Sequence, residues 1–367
     1  MSGTSLDAVD YALCSVSIEG IELLEHWQVD FPAALRARLH RAAQGRSTSH
    51  ETAQLHHDLG RFYASQAGGK LGRKTTALVG LHGQTIFHNP DAASPATFQL
   101  GEPAYLAETL RAPVVSNFRA ADLAAGGQGA PLATRFHEAV FARPGRHVCV
   151  NNLGGISNVT SLDWRRAKLL PRIAAFDTGP SNLLLDLAMR HFTRGRLQMD
   201  AEGAWAARGV AREALLARWL KHPFFHKPPP KSTGRELFGE PFFETILPHM
   251  RKSRLSKFDI LATLTEFTAH SIVLNYKLHL PSAPDMVILT GGGAANPALV
   301  DAIRGQLHAL RPDIEVRTSD ALGWPVSSIE PAAFAWLAHL RWIGKPGNIP
   351  QTTGAKRAVL LGQISRC

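Results

Sequence analysis

Val287-Ile288-Leu289-Thr290-Gly291-Gly292-Gly293 decides the fold of this chain. An apolar run that reads as a buried strand ends in three glycines, and a helix begins at Pro297, a residue suited to a first helical turn. Such a strand–glycines–helix unit predicts an open α/β sheet, whose ligands gather at the strand ends. Three glycines admit a flat or charged group at close range, and the helix N-terminus behind them favours anions. A tight strand-to-helix turn would look the same. Neither a Walker A pattern nor GxGxxG is present, which argues against P-loop and Rossmann readings.

Working outward, residues 147–151 read as a strand running into Asn152-Leu153-Gly154-Gly155-Ile156-Ser157-Asn158, with the next strand at 159–162. A further strand at 173–176 ends at Asp177-Thr178-Gly179-Pro180, and a long amphipathic helix follows from Leu183. Nearer the beginning, Gly3-Thr4-Ser5-Leu6-Asp7 has the composition of a phosphate-holding turn, because small hydroxyl residues sit beside a glycine. Residues 8–31 then read as a hairpin around Glu19-Gly20. Residues 33–70 are helical in pattern, and 75–81 form a short strand that delivers His82-Gly83-Gln84-Thr85. A strand at 113–116 leads into Asn117-Phe118-Arg119-Ala120-Ala121-Asp122 and a glycine-rich loop. Each half thus starts with a strand, a glycine turn and a second strand, which is a duplicated architecture. The expected domains are 1–135 with 335–367, and 136–334.

With 367 residues, 45% of them hydrophobic and 19% charged, the chain is folded and long enough for two domains. No apolar stretch approaches the roughly 20 residues of a membrane span, and the N-terminus lacks the regions of a signal peptide. Three scattered cysteines fit no disulfide frame or zinc site and favour a cytoplasmic location. The net charge of +10 is dispersed and carries no RNA-binding signature, so it points to small anionic substrates rather than nucleic acid.

Asp177 is the candidate for proton chemistry. At the end of an apolar strand, its carboxylate should face a cleft, where taking a proton from water or a hydroxyl is worth roughly 10²–10⁴ in rate. The plainer alternative is a cap for the helix starting near Ser181. His82 and His88 suggest hydrogen bonds to a polar substrate, and residues 231–236 read as a mobile polar loop, either a lid or a solvated turn. Glu330 precedes Pro331 at the start of an expected final helix over 331–342.

Together these stretches resemble one family, the anhydro-N-acetylmuramic acid kinases. The carriers are MSGTSLDAVD, HGQTIFHNP, NFRAADLAAGGQGAPL, NLGGISN, AFDTGPSN, KSTGRELF, LTGGGAANP and EPAAFAWLA, in family order over nearly the whole chain. The resemblance implies an actin-like (ribonuclease H-like) duplicated α/β fold with a central cleft, ATP with Mg²⁺, and a bacterial sugar derived from recycled cell wall. It implies that water opens the 1,6-anhydro bridge and that the freed O6 takes the γ-phosphoryl group, giving N-acetylmuramate 6-phosphate. Asp177 would activate the water. Gly3, Thr4, Ser5, Leu6, Asp7, Ala8, Val9 and Asp10, with Gly154 and Gly155, would hold the ATP phosphates. Gly291, Gly292, Gly293 and Asn296 would face the nucleoside. Thr85, Arg119 and Glu330 are assigned to the sugar, Arg119 gripping its lactyl carboxylate with two hydrogen bonds. No residue is assigned as a metal ligand, and a homodimer is implied.

The sequence departs from the family at Ala8 and Ser181, where a glycine is usual. It also lacks the short apolar strand that precedes Met-Ser-Gly-Thr, so Met1 is expected to be an internal methionine of a longer chain. Two other readings compete: an actin-like ATPase of the chaperone or assembly type, and an inactive sugar-binding relic.

Overall fold

The computed structural model describes residues 1–3, 6–90, 93–165 and 171–367. The chain forms two compact units, residues 1–140 with 327–367 and residues 141–326. The second division falls at the start of the helix Val326–Trp342 and not at 334/335. A helix is held by its own main-chain bonds, so Glu330 stays with the unit that contains Arg119.

In the first unit, β1 (Ala8–Val16) and β2 (Ile21–Asp30) form the expected antiparallel hairpin. The helical stretch is two helices, Ala33–Ala43 and Ser49–Leu71. The second starts with a capping box in which Thr48 and Glu51 satisfy each other's main-chain N–H groups. Leu6, Val9, Phe31, Leu39, Leu55, Leu59 and Tyr63 build one core between hairpin and helices. The expected strand at 75–81 shrinks to β3 (Val79–Gly80). After it come the hairpin of β4 (Gln84–Asn89) with β5 (Ala96–Leu100), and β6 (Val114–Ser116), which pairs in parallel with β3. The strand Gln363–Ser365 covers the other side of β6.

The second unit has one sheet. β7 (His147–Leu153), β8 (Ile156–Asp163) and β9 (Arg172–Pro180) make an antiparallel meander. β10 (Met286–Thr290) adds in parallel to β7, and β11 (Glu315–Thr318) adds in parallel to β10. The spatial order β11-β10-β7-β8-β9 is the ribonuclease H-like arrangement, an α/β fold of the class the resemblance implied. The helix Lys257–His279 is apolar around most of its circumference because it is buried, packing Ile272, Val273 and Tyr276 onto Cys149, Val159, Phe176 and Val287. The first unit repeats the scheme in pieces: β1 with β2 corresponds to the meander, and β3 with β6 to the parallel pair. Among the described residues no strand joins β1 to β3, and the pieces remain separate sheets. No helix among the described residues is long and apolar enough to cross a membrane.

Candidate active site

The glycines of the second unit fall into two physical kinds. Gly291 has φ +80°, and a Cβ there would lie 2.7 Å from the Leu153 nitrogen and closer still to Asn152 Oδ1. A Cβ on Gly293 would meet that of Leu153 at 2.8 Å. These two are glycine because β7 passes directly behind them. Gly155 and Gly292 are different: the nearest atoms to an added Cβ are 3.7 and 4.0 Å away, which is open or ordinary space. Protein packing does not require glycine there, so the missing side chains leave a cradle.

The rim of that cradle is fastened from behind. The Gly155 carbonyl accepts the N–H groups of Ser181 and Leu183 at 3.0 and 3.1 Å, and the Gly154 carbonyl accepts that of Asn182 at 3.1 Å. The Asn182 side-chain amide also donates to the Leu153 carbonyl at 2.9 Å. The β7–β8 turn is thereby tied through its carbonyls to the start of the helix Asn182–Thr193, a helix end that carries partial positive charge. Ser181, at one of the departures from the family, is fully buried, and its hydroxyl has no partner among the described residues. Asn296 caps the helix Pro297–Leu310, its Oδ1 accepting from the Leu299 N–H at 3.1 Å. Asn296 itself is buried.

Replacing Gly292 by Ala should leave the melting temperature unchanged and raise the KM for ATP by roughly 5- to 150-fold, the equivalent of a steric clash of about 1–3 kcal/mol. Gly291→Ala should instead lower the melting temperature, since it meets both a positive φ and the main chain of Leu153. Thermal melts and ATP titrations on the two variants check the contrast.

Asp177 lies within β9, not at its end: the strand continues through Pro180. The register slips beside it, so that Asn158 pairs with Asp177 but Ser157 pairs with Gly179. Such a bulge re-aims side chains and is common next to active sites. The half-buried carboxylate accepts the Thr233 N–H at 2.8 Å and caps no helix. Burial, opposed by that hydrogen bond, pushes its carboxyl up to about 6. The segment 231–236, expected as a mobile loop, is anchored to this strand. Lys231 is buried, and its carbonyl accepts the Asp177 N–H at 3.1 Å.

In the first unit the opening turn is pinned by HGQT. The Ser2 hydroxyl lies 3.1 Å from that of Tyr63 and donates to the Gly83 carbonyl at 3.3 Å. The fully buried Gln84 donates its side-chain amide to the Gly3 carbonyl at 3.0 Å. Thr4 and Ser5 lie outside the described residues. Leu6 takes the left-handed conformation, φ 60°, which leucine adopts only under constraint. Leu6, Ala8 and Val9 are buried, so among the described residues the exposed Asp7 and half-buried Asp10 are the side chains this stretch can offer. Loss of solvation raises the Asp10 carboxyl, and a hydrogen bond from Gln28 at 2.9 Å opposes the rise.

Arg119 is held from two sides, Nε donating to His82 Nε2 at 3.1 Å and Nη1 to the Gly129 carbonyl at 2.7 Å. Because Nε2 accepts, the His82 proton sits on Nδ1 and bonds the Gly83 carbonyl at 2.9 Å. Burial and the adjacent guanidinium hold His82 well below the usual histidine range, so it stays neutral. The buried ring rests on Phe334 with centroids 4.5 Å apart. His82 therefore orients Arg119; the direct substrate bond expected of it is replaced by this one. Gly129 is fixed in turn by the fully buried Asp122, which accepts its N–H as well as bonds from Asn348 and Thr353, each at 2.7 Å. Asp122 was not singled out in the sequence; an acid followed by Gly126-Gly127-Gln128-Gly129 is the signal that marks it. Among the described residues two of the guanidinium's five N–H groups are committed, which leaves donors for a carboxylate.

Glu330 belongs to the same unit and lies inside the helix Val326–Trp342, not ahead of it. Its carboxylate is exposed, yet enough protein surrounds it that lost solvation, aided by the Asp10 charge, raises its carboxyl; Arg119 pulls the other way. Thr85 is half-buried on β4, and its hydroxyl accepts from the Gln99 amide at 3.4 Å. Among the described residues no group of three or more His, Cys, Asp or Glu side chains is gathered for a metal.

The structure thus brings Asp177 together with 231–236 on one unit, and Arg119, Glu330, Asp10 and HGQT on the other. A model of the family described as anhydro-N-acetylmuramic acid kinase matches residues 1–366. The anhydro-N-acetylmuramic acid kinase of Acaryochloris marina is 41% identical over 378 residues, covering 99% of this chain and 98% of that protein. That of Crocosphaera subtropica is 42% identical over 375 residues, with 99% and 97% covered. At this identity and coverage the chain belongs to the anhydro-N-acetylmuramic acid kinase family.

Proposed function

We propose that this kinase adds water across the 1,6-anhydro bridge of anhydro-N-acetylmuramic acid and phosphorylates the freed O6, yielding N-acetylmuramate 6-phosphate in cell-wall recycling. The observation that carries the reading is Asp177, a half-buried carboxylate on a strand bulge with its proton affinity raised toward neutrality. Asp177 takes a proton from water as the water oxygen bonds the anomeric carbon. The bond from that carbon to O6 breaks, and O6 becomes the phosphoryl acceptor. When bound, ATP supplies the γ-phosphoryl group.

The cradle of Gly155 and Gly292 suits phosphates and nucleoside, since both positions have room that no protein atom claims, and Gly154 would add to the phosphate side. Gly3 to Asp10 would add the second phosphate-facing turn, and Gly291, Gly293 and Asn296 would shape the nucleoside side. Mg²⁺ binds through one or two carboxylates with phosphates and water; Asp7 and Asp10 suit that donor set without a preformed metal cage. Arg119 would grip the lactyl carboxylate, with Thr85 and Glu330 on the sugar hydroxyls. A cytoplasmic homodimer is part of the proposal.

ATP consumption with and without 1,6-anhydro-N-acetylmuramate tests it. Turnover should require the sugar; turnover without it would support a chaperone-type ATPase, and sugar binding without turnover an inactive relic. The pH dependence is a second check. Because the base must be ionised, kcat/KM for the sugar should fall about tenfold per unit below pH 6 and level off above it.

A further inference from the structure

The segment that follows Pro230 does more than cover Asp177. At its first end, the buried Lys231 donates from Nζ to the Phe224 and Phe225 carbonyls, both at 3.1 Å, and lies 3.2 Å from His279 Nε2, which is itself 3.0 Å from the Phe225 carbonyl. This fastens the segment to the last turn of the short helix Pro223–His226 and to the end of the helix Lys257–His279. At its other end, the short helix Arg235–Phe238 sinks Phe238 among Phe224, Phe225 and Phe242, with ring centroids 5.1 to 5.5 Å apart. Between the two anchors the main chain touches Asp177 twice, through the Lys231 carbonyl and the Thr233 N–H. A Cβ on Gly234 would collide with the Glu236 carboxylate, so that carboxylate is folded back over the chain one residue from Thr233.

We propose that residues 231–236 form a charge clamp on Asp177, in which Lys231 and Glu236 are positioning residues that act on its carboxylate with opposite signs. The proposal rests on the reading of Asp177 as the base. The Lys231 charge favours the ionised carboxylate, and the Glu236 charge favours the protonated one. Other charged or titratable groups on the surrounding elements act elsewhere. Lys227 acts on Lys231, His226 and Lys231 on His279, and Arg190 and Arg235 on Asp186. The strand partner Asn158 and the nearby Asn275 are uncharged. The clamp therefore lets the base be tuned without moving it: the two main-chain contacts fix its place, and two side chains set when it is free to take a proton.

The test is the pH profile of kcat/KM for the anhydro sugar, measured on the full chain for the wild type and four variants. Glu236→Gln should move the acid limb to lower pH and Lys231→Met should move it to higher pH, each by about half a unit or more. Glu236→Asp, which keeps the charge, should return the limb towards that of the wild type. Limbs that stay in place, or that move in the same direction, overturn the clamp. Glu236 is exposed, so its variants should fold even if Lys231→Met does not, and the Glu236→Gln limb then decides. Asp177→Asn separates the two claims. If it keeps full turnover, the base assignment falls and the clamp with it; if it is inactive and the Glu236→Gln limb is unmoved, only the clamp falls.

Discussion

Asp177→Asn should abolish sugar-dependent turnover, by roughly 10²–10⁴-fold or more, and at pH 7–8 the same variant should melt a few degrees above the wild type. The second effect follows from the sign of the linkage. The folded-state carboxyl titrates near 6, above its ordinary 3.8, so the folded protein holds this proton more tightly than the unfolded chain. The resulting stabilisation is complete below the unfolded value and is lost as pH rises through about 6. Above that, an ionised carboxylate stays in a poorly solvated place. Each pKa unit corresponds to about 1.4 kcal/mol, and partial exposure of the group reduces the sum to on the order of 1–2 kcal/mol. Asn is neutral, fits the same space, and can accept the Thr233 N–H through its carbonyl. The gain should vanish below pH 4, where both proteins are uncharged at this position. A helix cap or structural hydrogen bond would give the opposite result, lower stability with activity kept. Melting curves at pH 4 and pH 7.5, with turnover on the same samples, check both halves.

Arg119→Lys should raise the KM for the anhydro sugar by about 10- to 100-fold, leave kcat within a few-fold and leave the KM for ATP unchanged. A hydrogen-bonded charge contact is worth roughly 1.5–3 kcal/mol, and a lysine cannot offer the paired donors of a guanidinium. Two of the arginine's own bonds, to His82 and Gly129, would also be lost, so some loss of stability is expected and must be separated from substrate recognition. A sugar analogue without the lactyl carboxylate makes that separation. Wild type and variant should handle the analogue almost equally if the guanidinium serves the carboxylate, and the 10- to 100-fold difference should persist if its role is structural.

The repeated strand–glycine turns, the hairpin at Glu19-Gly20 and the helix at Pro297 were legible because short-range patterns determine them. The surroundings of the site were less so. The apolar run Ala174-Ala175-Phe176 marks β9 but not where it ends, and the strand's most buried stretch lies beyond it, at Thr178–Pro180. The strand continues because Gly179, at φ 131° against Phe225, tolerates the register slip beside Asp177. Lys-Ser-Thr-Gly reads as a solvated turn by composition. Its burial depends on carbonyls at 224 and 225 and on His279, 48 residues away. Pro331 drew the start of the last helix to itself, although the helix opens at Val326 and absorbs the proline in its second turn. For Arg119 the residue type suggested a carboxylate partner, but the bonds that aim it come from His82 and Gly129, which Gly83 and Asp122 hold in turn.

The divided sheet of the first unit bears on how force and fluctuation spread. In the second unit β7 is hydrogen-bonded on both sides, so the glycine turn at its end moves only if five strands move with it. In the first, β1 is tied to β2 alone, and beyond Asp10 it shares no ladder with β3 among the described residues. The hairpin is held instead by side chains, since its Val9 and Phe31 share one core with Leu55, Leu59 and Tyr63 of the helices and Val114 of β6. The opening turn rides on that hairpin, while Arg119 follows β6. The opening turn is thus steadied by side-chain packing, and the β7–β8 turn by a continuous hydrogen-bonded sheet.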